Sequence, residues 1–138
     1  MNIGILGTGT VGQTIGSKLI QLGHEVRMGS RTAENEKAAQ WVAANGPRAS
    51  HGTFADAAAF GEILFNCTAG VASLRALRMA GEANLRGKIL IDVANPLDFS
   101  HGMPPSLAVC NTDSLGEQIQ RAFPETRGPA CRRWSADR

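Results

Sequence analysis

The chain has 138 residues, 43% of them hydrophobic and 19% charged, which suits one soluble globular domain with its own core. No apolar run approaches the ~20 residues that span a bilayer, and no basic segment precedes a signal-like stretch, so no membrane association is expected and the location expected is cytoplasmic. The formal charge of +2 is uneven: residues 1–126 carry 10 Lys/Arg against 11 Asp/Glu, while 127–138 carry four arginines against one aspartate, leaving the body with no basic face for nucleic acid.

Apolar and chain-breaking patterns alternate along the sequence. Residues 2–6 (Asn2-Ile3-Gly4-Ile5-Leu6) read as a buried strand, followed by Gly7-Thr8-Gly9-Thr10-Val11-Gly12. A helix follows over about 11–22, where Val11, Ile15, Leu19 and Leu22 recur at helical spacing and Gly23 ends it. A second strand covers about His24–Gly29, and an Ala-rich helix spans about Ala33–Ala44, stopped by Asn45-Gly46-Pro47. A short third strand is expected near Arg48–Ser50, then a short helix capped by Thr53 and ending at Phe60-Gly61. Glu62–Asn66 reads as a fourth strand, Val71 to about Ala83 as a helix, and Lys88–Asp92 as a fifth strand. Ser114-Leu115-Gly116-Glu117 has capping-box form and opens a last helix running to about Phe123.

This alternation implies an α/β fold: a Rossmann-type, doubly wound parallel sheet of order 3-2-1-4-5 with helices on both faces. Ligand sites on such sheets lie beyond the carboxyl ends of the strands. There is no internal repeat, and the organisation expected is one domain over 1–126 with an irregular basic tail over 127–138. Cys67, Cys110 and Cys131 are odd in number and lack CxxC spacing; they read as free thiols of a reducing compartment rather than a disulfide framework or a zinc site.

Gly-x-Gly-x-x-Gly alone says little, but here it begins where an apolar strand ends and opens an amphipathic helix, as a dinucleotide fingerprint requires. Gly7 would allow the tight turn, Gly9 would let a pyrophosphate approach the backbone, and Gly12 would let helix and strand pack closely. The helix N-terminus then offers N–H donors and the positive end of its dipole. About 20 residues on, NAD binders place a carboxylate for the ribose hydroxyls. This chain has Gly29-Ser30-Arg31-Thr32 instead, and a hydroxyl beside a guanidinium suits a 2′-phosphate, so NADP is the cofactor expected.

These residues resemble the NADP oxidoreductase family typified by the coenzyme F420-dependent NADP oxidoreductases, whose relatives include the reductase domains of membrane ferric reductases and the pyrroline-5-carboxylate reductases. The resemblance is carried by Met1–Gly12, Leu22–Val26 running into Gly29-Ser30-Arg31, the fourth-strand segment, Ile91–Leu97 with its Asn95-Pro96-Leu97, and Ser114–Glu117. It implies that Thr8, Thr10 and Val11 meet the pyrophosphate, and Ser30 and Arg31 the 2′-phosphate. It further implies that Thr68, Ala69 and Gly70 lie along the nicotinamide ribose, while Asn95 and Pro96 line the nicotinamide end. The family often has a Lys soon after the Arg; Asn35 stands at that offset here, with Lys37 two residues on. After Arg127 the family continues with a sixth strand and a C-terminal part that complete the acceptor pocket, whereas residues 128–138 have neither strand nor helix periodicity. They read as a truncated or frame-shifted end, the alternative being a genuine short variant.

Hydride transfer asks little of side chains, since the cofactor carries the chemistry and the protein orients it. No catalytic residue is assigned: Ser73, His51 and Asp56 form no nucleophile site. His24 reads as a turn residue, His101 as a loop residue near substrate, Asp92 as a brace for a neighbouring loop, Cys67 as a small buried side chain and Trp41 as packing. The function expected is an NADPH-dependent oxidoreductase passing hydride between nicotinamide and a small flavin- or deazaflavin-like acceptor. The alternative is an NADP-binding module without turnover, its acceptor half missing; a homodimer partner could supply that wall. An S-adenosylmethionine methyltransferase also has a glycine loop after its first strand, but Ser30-Arg31 stands where such enzymes want an acid.

Overall fold

Parallel strands buried on both faces must be joined by crossover helices, and that is how the chain is built. The computed structural model describes residues 1–95, 97–98, 100, 102–103, 106–107 and 113–127, with backbone pairing alone at 97–98 and 106–107. Five strands, β1 (Asn2–Leu6), β2 (Glu25–Ser30), β3 (Ala49–Thr53), β4 (Ile63–Asn66) and β5 (Ile89–Asp92), form one sheet of order β3-β2-β1-β4-β5. Every pairing in it is parallel, for instance Leu6 with Gly29 and with Asn66. The Rossmann-type order read from the sequence is the order observed.

The helices are α1 (Thr10–Gln21), α2 (Glu36–Asn45), α3 (Phe54–Phe60), α4 (Ser73–Ala80), α5 (Glu82–Leu85) and α6 (Leu115–Ala122). Ile3, Ile5, Val26, Met28, Ala38 and Trp41 pack one face of the sheet, with Ile15, Leu19 and Ile20 of α1 against them. Leu6, Phe54, Ala57, Leu64, Leu77, Leu85, Leu90 and Ile119 pack the other. Trp41 is packing, as expected, and its indole N–H is satisfied by the Gln13 carbonyl at 3.2 Å and the Ser17 hydroxyl at 3.0 Å.

Several boundaries differ from the sequence reading. Val11 and Leu22 are exposed at 53% and 62%, because the face α1 turns to the sheet is the small pair Gly12/Gly16, flanked by Ile15 and Leu19. Strand β3 runs on to Thr53 through the polar Ser50-His51-Gly52, carried by pairing to β2. Helix α2 starts late, at an Asn35 side chain that accepts from the Ala38 N–H at 3.0 Å. The helix expected over 71–83 is three pieces: a 3₁₀ turn at Gly70–Ala72, then α4, then α5 beyond Gly81, whose φ of +91° ends α4. A two-residue antiparallel ladder, β6 (Leu97–Asp98) with β7 (Ser106–Leu107), has no clear sequence signal.

Beyond α6 the chain returns to the free edge of β5. The Arg127 N–H donates to the Lys88 carbonyl at 3.0 Å, and Ile89 and Arg127 form a parallel bridge. Residues 128–138 lie outside the described residues, as do His101, Cys110, Cys131 and Trp134.

Candidate nucleotide site

The carboxyl ends of β1 and β2, at the centre of the sheet, open onto the start of α1. Gly7 sits at φ +120°, and a Cβ there would lie 2.6 Å from the Cys67 carbonyl oxygen, so no side chain is tolerated at the turn. Its N–H donates to the Gly29 carbonyl at 2.9 Å, tying the turn to the end of β2. A Cβ on Gly12 would lie 2.8 Å from the Gly7 carbonyl, so α1 touches its own entry turn at that point. Gly9 is different: it caps α1 with an ordinary φ of −76°, and a Cβ built on it meets nothing within 4 Å. That open space lies before the first turn of α1, which has no side-chain cap and no acidic residue. An N-terminus of this kind presents free N–H donors and positive potential to an anion. The Gln13 amide donates to the Thr8 carbonyl at 2.9 Å and steadies the loop.

Beside it is a groove of about 390 Å³ lined by Gly7, Thr8, Ser30, Arg31, Thr32, Asn35 and Phe54. The buried Ser30 hydroxyl donates to the Thr32 carbonyl at 2.5 Å, shaping the turn after β2. Arg31 is exposed and makes no hydrogen bond or ion pair with any described residue. Arg31 and Phe54 also line a second, smaller slot of about 150 Å³ together with Thr68 and one face of α4. A larger groove of about 630 Å³, between α1 and α2, is lined by Lys37 and Trp41 but by none of the residues expected to bind the cofactor.

At the ends of β4 and β5 the structure has a polar knot that sequence reasoning missed. Asn66, fully buried, donates through Nδ2 to the Ser73 hydroxyl at 3.0 Å and to Asp92 Oδ1 at 2.9 Å. Its Oδ1 accepts from the Thr68 hydroxyl at 2.7 Å, and the Thr68 and Ser73 hydroxyls are 2.9 Å apart. Asp92 also accepts from the Ala94 N–H at 3.2 Å, so it braces the following loop. Burial pushes its carboxyl above the ordinary range, against those two hydrogen bonds. Burial, with help from the Asp92 charge, pushes the Cys67 thiol up to about 12, so it stays protonated and unreactive. The signal available in the sequence was Asn66 itself, a polar residue ending an apolar strand.

The knot fixes the Thr68–Gly70 loop, and the Gly70 N–H donates to the Asn95 carbonyl at 3.2 Å. The loops after β4 and β5 are thereby joined. The structure thus gathers Gly7–Gly12, Ser30 and Arg31 at one end of the carboxyl edge and Thr68, Ala69, Gly70 and Asn95 at the other. Pro96 lies outside the described residues. Thr68 differs from a simple ligand contact, because its hydroxyl is engaged inside the protein.

The profile of the family "NADP oxidoreductase coenzyme F420-dependent" matches residues 2–96, more than half of the chain and all of the strands and loops just described. The chain belongs to this F420-dependent NADP oxidoreductase family. A solved structure from Arthrobacter sp. FB24, described provisionally as an F420-dependent NADP reductase, is 53% identical with a TM-score of 0.86, over 93% of this chain and 60% of that one. The chain therefore spans about 60% of the length of that relative. Imine reductases share the fold at lower identity. The one from Streptomyces aurantiacus is 24% identical over 69% of this chain and 32% of its own, with a TM-score of 0.58. That from Bacillus cereus is 19% identical over 92% and 38%, with a TM-score of 0.66. No curated protein sequence matches significantly. Among the described residues no helix is long and apolar enough to cross a membrane.

Proposed function

We propose that the chain binds NADP(H) along the carboxyl edge of its sheet and serves a hydride-transferring oxidoreductase with a small flavin- or deazaflavin-like acceptor. The observation that carries this reading is the groove beside the glycine turn, where Gly7 and Thr8, which lead into the uncapped start of α1, and Arg31, which pairs with no described residue, line one space that no described carboxylate borders. The residues present suit the cofactor: the open space at Gly9 would admit a diphosphate against the first N–H groups of α1. Arg31 would hold a 2′-phosphate by planar charge-assisted hydrogen bonds, with Ser30, whose buried hydroxyl donates to the Thr32 carbonyl, shaping the turn that presents it. The loops joined through Gly70 and Asn95 would line the nicotinamide end, with the Asn66–Ser73–Asp92 knot holding them in place. When bound, the nicotinamide supplies the hydride chemistry; the task of these side chains is to bind, orient and exclude water.

Calorimetric titration with NADPH and NADH tests the reading. Two or more charge-assisted bonds to the 2′-phosphate predict a preference for NADPH of roughly tenfold to hundredfold, lost in Arg31→Ala. Equal affinity for both would discard the assignment of Arg31. Because the chain spans 60% of its Arthrobacter relative, a nucleotide-binding module without turnover is the second reading. Oxidation of saturating NADPH with flavin, deazaflavin and ferric acceptors separates the two.

A further inference from the structure

We infer that Arg75, on α4, is a second guanidinium of the nucleotide site and selects, together with Arg31, for a nucleotide phosphorylated on its adenosine ribose. This rests on the binding mode proposed above and adds a residue that the glycine turn and the Gly-Ser-Arg segment do not contain.

The small slot of about 150 Å³ is lined on one side by Arg31 and Phe54 and on the other by Ala72, Arg75, Ala76 and Met79. The last four recur at helical spacing, so they form a single stripe along α4 and its entry turn. Two small alanines set the depth of the slot, and Phe54 and Met79 make it apolar enough for a flat aromatic base. Its rim is cationic. Arg75, like Arg31, is exposed and makes no hydrogen bond or ion pair with any described residue, and no described carboxylate lines this slot or the groove beside it. Two exposed guanidiniums bordering one small cavity, with no described carboxylate beside them, form a cationic rim that draws an anion.

Among the described residues the adjoining groove has no other cation: Arg31 alone of its described lining is charged. A phosphate monoester carries about −1.5 to −2 charges at neutral pH, more than one arginine neutralises. Arg31 borders both spaces, so a base in the slot puts its ribose substituents at the side where the groove begins. Arg75 then faces the same phosphorylated adenosine from the α4 side. Arg78, one position outside the stripe, does not line the slot.

Adenosine 2′,5′-bisphosphate and adenosine 5′-monophosphate differ only in the 2′-phosphate, and their calorimetric affinities for the wild type, Arg31→Gln, Arg75→Gln and Arg75→Lys test the inference. Arg75→Gln is expected to weaken the bisphosphate about tenfold and the monophosphate less than about twofold, with Arg75→Lys keeping most of the preference. Melting temperatures within about 2 °C of wild type would show that the exposed substitution leaves the fold intact. Equal weakening of both ligands by Arg75→Gln, or no weakening of either, would overturn the role of Arg75. If Arg31→Gln abolishes the preference while Arg75→Gln leaves it, this inference fails and the proposed binding mode stands. A wild type that does not distinguish the two ligands would overturn both.

Discussion

Gly9→Ala separates binding from folding more cleanly than any other substitution in the turn. The new Cβ meets no heavy atom within 4 Å, and the φ of −76° suits alanine. Its folding penalty is that of alanine at an N-cap, about 1 kcal/mol. A diphosphate oxygen, by contrast, must come within about 2.8 Å of the first N–H groups of α1 to form charge-assisted bonds. On the proposed binding mode the methyl group would occupy that approach. Losing one or two such bonds at roughly 1.5–3 kcal/mol each predicts a fall in NADPH affinity of about a hundredfold. Gly12→Ala is the matched control, since its Cβ would lie 2.8 Å from the Gly7 carbonyl, in the fold itself. Overpacking there should destabilise by about 1–3 kcal/mol with or without ligand. Urea titrations monitored through buried Trp41, in a Trp134→Phe background, would be paired with calorimetry of NADPH binding. Gly9→Ala that binds within threefold of wild type, or that unfolds as readily as Gly12→Ala, would refute the reasoning.

Asn66→Ala removes one buried side chain that serves Ser73, Asp92 and Thr68, and should destabilise the fold by about 3–5 kcal/mol; a loss under 1 kcal/mol by urea denaturation would mean that water replaces the amide freely. Asp92 has a raised folded pKa, so its ionisation opposes folding as pH climbs above the unfolded value near 3.8, and the penalty is absent below it. Asp92→Asn should therefore gain stability relative to wild type as pH rises from about 4, whereas a constant or falling difference would contradict the burial assigned to this carboxyl. With its thiol at about 12, Cys67 in a Cys110→Ser/Cys131→Ser background should react with an aromatic disulfide at pH 8 at least about a hundredfold more slowly when folded than in urea. Comparable rates would show an accessible thiolate.

The central architecture was legible because it is local. An apolar strand, a glycine turn and a helix follow one another between Asn2 and Gln21, and Ser30 ends the strand paired beside them, with Arg31 next in the chain. Ser114 caps α6 as its spacing implied, accepting from the Glu117 N–H at 3.1 Å. What escaped the sequence is what distant segments make together. The knot joins residues 66, 68, 73 and 92, whose joint contacts no local pattern reveals, and the slot joins Arg31, after β2, to Arg75, after β4, across the intervening β1. Strand β3 was read too short because Ser50, His51 and Gly52 lack apolar side chains, although β2 supplies their pairing. Gly81 shows the opposite error: a glycine within a helical pattern was read through, and its positive φ divides the helix.

Thr53 is both the last residue of β3 and the N-cap of α3, locked by a reciprocal capping box with Asp56. No flexible linker intervenes, so Phe54, which borders both nucleotide spaces, is anchored directly to the sheet. The wall that Phe54 gives to both spaces thus inherits the rigidity of the β-structure. On the proposed binding mode, damage to Asp56, a residue that lines neither space, would surface first as weakened coenzyme retention, with a single surface carboxylate acting as the rivet of the seat.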